Sequence, residues 1–239
     1  MTEQELKCLH CAEVLHNGVT YGDGLSMLEQ ITHTANLVYG NTILTGEEAK
    51  TVYCAALLHK CFEPKRIVKW QLPLSEETVR RIAGDKVLAV VNELRGEPED
   101  ENKSKHDQWV EKAKWAKGLS HAAREILLAE KVINFRTSRD KPNPQKPLAW
   151  HLEYLETRML MVEAIKDTNF ALSQKAHQAK EEAETALIAR AQGTHENGTA
   201  SAPKTAVAPD DTVSPRKVAG QTNIAQARGK ADNQNDGRA

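Results

Sequence analysis

Two polar side chains, far apart in the chain, stand where an apolar helical stripe would otherwise continue. In the segment 46–62, Val52, Ala55, Ala56 and His59 fall at i, i+3, i+4 and i+7, a spacing that predicts a helix with His59 on its inward face. In the segment 120–139, Ala123, Ile126, Leu127, Glu130 and Asn134 share one face in the same way and carry a carboxylate and an amide among apolar neighbours. An imidazole and a carboxylate are a metal-ligating or proton-transferring pair when they meet. Each also has an ordinary explanation, a satisfied core histidine and a structural ion pair.

The two stripes sit inside longer patterns, Ala55-Ala56-Leu57-Leu58-His59-Lys60 and Leu128-Ala129-Glu130-Lys131-Val132-Ile133-Asn134-Phe135-Arg136. Together with the helix-like stretch Ser26 to Val38 and Ala83-Gly84 between them, their order and spacing resemble the HD hydrolase domain of RelA/SpoT-type guanosine tetraphosphate (ppGpp) hydrolases, particularly the small stand-alone form. The resemblance covers roughly residues 8–166. It implies an all-α helical bundle and a phosphohydrolase ancestry.

The resemblance also implies a divalent ion, typically manganese, held by two His and two Asp. Those four positions fall on Gln30, His59, Lys60 and Glu130, so only His59 is identical. Gln is a weak neutral oxygen donor, Glu is one methylene longer than Asp, and a protonated Lys cannot ligate. Lys60 is the decisive exchange: at ~4 Å and an effective dielectric of ~20, a unit charge beside a divalent ion is worth about 8 kcal/mol, and its sign is now repulsive. The substitutions lead us to expect the Lys60 ammonium to stand where the metal charge stood and to pair with Glu130 and Glu63.

By the same resemblance, an acidic couple beyond the HD pair handles the attacking water; Cys61-Phe62-Glu63-Pro64 keeps Glu63 as the candidate catalytic carboxylate and replaces its partner with Pro. His16, Asn134 and Arg136 match substrate-binding positions. A basic pair expected against the guanine falls near Val19 and Thr20, which carry no charge. Asn134 and Arg136 have the alternative of pinning neighbouring helices by hydrogen bonds.

Other clusters carry less. Cys8-Leu9-His10-Cys11 offers soft ligands within one helical turn, but structural zinc wants a second pair, and Cys54 and Cys61 belong to another helix. A register shift that put His33 in place of Gln30 would leave Lys60 unexplained. Trp70, Trp109, Trp115 and Trp150 are dispersed in sequence and read as packing residues, and the lysines of 103–117 read as a solvated helix face.

Positioning these side chains requires helices. Ser or Thr followed three residues later by Glu marks helix starts at Thr2, Ser26 and Thr45. Helices are expected at about 3–16, 26–39, 46–62, 75–83, 86–95, 105–118, 120–139, 148–166 and 170–192, with the apolar run Val87 to Val91 a buried helical turn rather than a strand. Three parts follow: an HD-type domain over 1–168, an exposed helical extension over 169–192, poor in large apolar residues, and a polar tail over 193–239 expected to be disordered.

Composition bounds the rest. Apolar residues make up 40% of the chain, enough for a core, and 32 Lys+Arg against 33 Asp+Glu leave a net charge of -1, so no long-range field points to nucleic acid or an anionic membrane. No apolar run is long enough for a membrane span and no export signal is visible, so a cytoplasmic protein with four reduced thiols is expected. The leading expectation is a pseudoenzyme, a catalytically impaired relative of the ppGpp hydrolases that acts as a nucleotide-binding or interaction module. Its rivals are an active metal-dependent nucleotide pyrophosphohydrolase built on His59, Glu130 and Glu63, using manganese, and a structural adaptor that recruits a protein partner through the C-terminal extension.

Overall fold

The structure is a computed structural model that describes residues 1–21, 25–63, 66–69, 72–95, 100 and 102–197. Its helices are α1 (Glu3–His16), α2 (Met27–Tyr39), α3 (Gly46–Leu58), α4 (Glu76–Glu93), α5 (Lys105–Lys117), α6 (His121–Asp140), α7 (Leu148–Ile165) and α8 (Phe170–Asn197). A two-residue antiparallel pair, β1 (Thr20–Tyr21) with β2 (Leu25–Ser26), joins α1 to α2, where no strand was expected. Val87 to Val91 are helical, as their isolation from any second β-rich run predicts.

Side-chain caps set most helix starts. Thr2 and Glu5 form a full capping box, and Ser26, Ser75, Ser104 and Ser120 each accept a bond from an amide three residues on. Thr45 does not: α3 begins at Gly46 with φ +58, so the chain enters through a left-handed step and the expected box with Glu48 is absent. The two helices expected over 75–95 are the two arms of α4, which breaks at Gly84, where φ of 83 and ψ of 170 are non-helical and would strain a residue with a β-carbon.

The core gathers around α2, α3 and α6, with Ile31, Ala35, Ala55, Ala56, Leu128 and Phe135 all buried. The alanines of α3 let neighbouring backbones approach closely. Helices α1 and α4 pack on α3, α5 packs on α7, and α8 packs on α6 and α7. A fully buried carboxylate ties this assembly: Glu125 accepts from the Thr42 hydroxyl, the Ile43 amide at 3.2 Å and the Asn169 side-chain amide at 2.6 Å. Asn169 in turn accepts from the Leu172 amide at 3.0 Å and starts α8.

The expectation of an exposed extension over 169–192 is corrected. Leu172, Ala176, Ala179, Ala183 and Leu187 form a buried stripe on α8, and the helix continues to Asn197, past the expected boundary at 192. Small residues make this seam by close approach rather than by bulk, so a search for large apolar side chains undervalues it. The rest of the expected tail, 198–239, lies outside the described residues. Among the described residues no helix is long and apolar enough to cross a membrane.

Candidate functional site

His59 follows the last residue of α3 and is only 4% exposed. The helix ends earlier than expected, at Leu58, so His59 occupies the cap position and its Nδ1–H donates to the Ala56 carbonyl at 2.6 Å. Since a carbonyl can only accept, this fixes the tautomer and leaves Nε2 as the basic nitrogen. Burial first, and the neighbouring Lys60 ammonium second, push the His59 pKa down to about 4.

Lys60 does pair with both carboxylates. Its Nζ lies 3.1 Å from Glu63 Oε1 and 3.7 Å from Glu130 Oε1. Glu63 also meets Arg66 at 3.4 Å, and Glu130 meets Lys131 at 3.2 Å, so five charges alternate in sign in the order Arg66, Glu63, Lys60, Glu130, Lys131. The Lys60 side chain is 20% exposed, Glu130 12% and Lys131 5%. Burial opposes the charge on Lys60, but Glu130 and Glu63 outweigh it and hold its pKa above the ordinary lysine value. Burial likewise opposes the Glu130 carboxylate, and Lys131, Lys60 and His59 together hold it well below the usual carboxylate range. Lys131 goes the other way: burial dominates, and its pKa falls below that of a free lysine.

Gln30, at the first expected ligand position, donates through Nε2 to Asn134 Oδ1 at 2.5 Å and is 8% exposed. Its amide is thus turned to Asn134, in keeping with the helix-pinning alternative. The four positions do not fit a divalent ion, because one donor is neutral and already bonded and an ammonium stands 3.7 Å from the remaining carboxylate. Among the described residues no three of His, Cys, Asp and Glu are grouped to hold a metal. Cys8 is buried and hydrogen-bonded to Cys54, since α1 lies on α3; that bond first, and burial second, keep its thiol protonated.

The charge ladder lines a cleft of about 280 Å³. Arg95, Lys112 and Arg158 add to it, so that among the described residues six cationic side chains and two carboxylates line it, Arg95 being paired with Glu76 at 2.9 Å. Trp109, Trp115 and Tyr154 supply aromatic wall. Three of the four dispersed tryptophans are therefore gathered here or beside it, because α5 and α7 pack together; Trp70 lies outside the described residues. Lys112, expected on a solvated face, lines the cleft too.

Of the expected substrate-binding residues, Asn134 lines this cleft. Arg136 does not: it is exposed and lines a separate hollow of about 630 Å³ between α2 and α6, together with His33. One residue turns a helix by about 100°, so Arg136, two beyond Asn134, faces another way. His16 is fully buried, its Nδ1 2.5 Å from the Arg66 carbonyl, while Nε2 has no hydrogen-bond partner among the described residues. It anchors the segment that carries Arg66 and presents no open surface. Sequence reasoning missed Arg158, Tyr154 and Lys131 as site residues; the signal was the i, i+4, i+8 stripe Trp150, Tyr154, Arg158 on α7.

No protein-family model and no curated protein matches the sequence. A solved structure does match, with a TM-score of 0.63 and 21% identity over 76% of this chain and 96% of that one. It is that of a metazoan ortholog of SpoT that hydrolyses ppGpp and plays a role in starvation responses. The chain has the HD fold. Across this HD-fold scaffold the likeness concerns architecture, and the side chains at the ligand positions are those described above.

Proposed function

We propose that this HD-fold protein is a hydrolytically impaired relative of the ppGpp hydrolases that binds a guanine nucleotide in its cationic cleft without a metal ion. The observation that carries the reading is the Lys60 ammonium held between Glu63 and Glu130. In that position it neutralises the two carboxylates that would otherwise call for a divalent ion, and it commits Glu63 to ion pairs with Lys60 and Arg66 instead of to an attacking water. The excess positive charge of the cleft then suits phosphate groups. A cytoplasmic setting, with reduced buried thiols, belongs to the same reading.

The test is calorimetric titration of the protein with guanosine tetraphosphate in a chelator, paired with an assay of pyrophosphate release in added manganese. Binding that survives the chelator, without turnover, is expected. A second reading, an active metal-dependent pyrophosphohydrolase, is favoured by the fold shared with a hydrolase and by the convergence of His59, Glu63 and Glu130 around Lys60. Manganese-dependent turnover abolished by His59→Ala establishes that second reading and rejects the first.

A further inference from the structure

A second hollow of about 280 Å³ adjoins the cationic cleft along α5 and α7. Trp109, Tyr154 and Arg158 line both. On the outer side, the rings of Trp150 and Tyr154 stack with centroids 5.5 Å apart and planes inclined by 28°. The Arg158 guanidinium continues the stack, 3.5 Å from the Tyr154 ring centre and 4.4 Å from that of Trp109. The Trp109 distance places one planar cation between two aromatic faces.

This arrangement is built. A guanidinium held between rings keeps its N–H edges directed around its own plane, where they can donate to phosphate oxygens. Among the described residues Arg158 makes no ion pair; its one side-chain bond is to the Thr157 hydroxyl at 3.2 Å. Glu153, on the outer side, is exposed and also makes no ion pair among the described residues. A carboxylate beside an aromatic stack accepts two parallel N–H donors, which guanine offers on adjacent ring and exocyclic nitrogens and adenine does not. Gln108, across the hollow on α5, has its side-chain nitrogen committed to the Asp100 and Lys103 carbonyls at 3.0 and 3.1 Å, which fixes the amide.

The surface near the β1–β2 pair is a poor rival for the base. Val19 and Thr20 carry no charge there, and His16 is fully buried. We propose that the outer hollow between α5 and α7 is the subsite for the guanine ring of a mononucleotide whose phosphates lie in the cationic cleft, with Arg158 bridging the two and Glu153 selecting the ring. The inference rests on the nucleotide-binding reading above. It adds the place and orientation of the base, and a determinant of its identity.

The experiment compares three probes on the full chain in chelator: guanosine diphosphate, adenosine diphosphate and inorganic pyrophosphate. Guanosine diphosphate is expected to bind at least about tenfold tighter than pyrophosphate, the return on one stacked base. Trp150→Ala is expected to lose about that factor for guanosine diphosphate, with most of it restored by Trp150→Phe, and Glu153→Gln to narrow the preference for guanosine over adenosine diphosphate. Unchanged melting temperatures establish that the variants are folded. If pyrophosphate binds and guanosine diphosphate gains nothing over it, or if Trp150→Ala and Trp150→Phe both bind guanosine diphosphate as the parent does, the ring subsite is overturned while the cleft reading stands. If neither guanosine diphosphate nor pyrophosphate binds, both are overturned.

Discussion

Lys60 holds its charge in a place that an ammonium occupies only when compensated. Two carboxylates within 3.7 Å supply that compensation, and each has a second cation of its own, Arg66 for Glu63 and Lys131 for Glu130. Removing one member of a buried pair costs about 3–5 kcal/mol. Here Lys60 is one-fifth exposed and Glu130 keeps Lys131, so Lys60→Ala is expected to destabilise the fold by about 2 kcal/mol, less than the full penalty. Urea unfolding of the two proteins at neutral pH measures it. Equal midpoints and slopes would mean that the ion pairs contribute nothing to stability. The same residue shows how far side-chain chemistry carries from sequence: the pairing of Lys60 with both carboxylates was expected from the substituted ligand positions that the resemblance implied, whereas Arg136, matched by the same resemblance, lies two residues and about 200° of helical turn beyond Asn134 and faces another hollow.

At the scale of elements, legibility depended on whether the signal was local. Caps placed the starts of α1 and α2 within a residue or so, because a serine or threonine hydroxyl and the amide it bonds are three residues apart. The aromatic wall is non-local. Trp109 and Tyr154 are brought together by the packing of α5 on α7, which no window along the chain contains. The seam of α8 was hidden for a different reason, since alanines weigh little in any hydrophobic count yet permit the closest helix contacts. That seam makes a claim about stability. Leu172 is fully buried one turn after Asn169, whose side chain joins the buried Glu125, so Leu172→Ala is expected to cost about 3 kcal/mol and to lower the melting temperature of the whole domain. A loss confined to helical signal from α8, with the main transition unmoved, would instead identify α8 as an appendage.

For the molecule as a whole, the buried histidine sets the response to acid. His59 titrates near 4 when folded and near 6.5 when unfolded, so between these values the unfolded chain binds the extra proton and stability falls as pH falls. His16, its pKa also lowered by burial, acts in the same direction. Glu130, depressed below the ordinary carboxylate value of 4.5, adds its loss only at lower pH. On the alkaline side Lys60 is raised and Lys131 lowered, so their contributions oppose one another and the acid limb is the diagnostic one. Each pKa unit is worth about 1.4 kcal/mol, and between pH 7.5 and pH 5 the His59 contribution falls by about 2 kcal/mol. His59→Asn keeps a side-chain N–H for the Ala56 carbonyl but does not titrate. Urea midpoints measured at the two pH values should therefore converge in that variant by about this amount. A parent and a variant with the same acid sensitivity would show that His59 takes up its proton at the same pH in the folded and the unfolded chain, so that burial does not depress it.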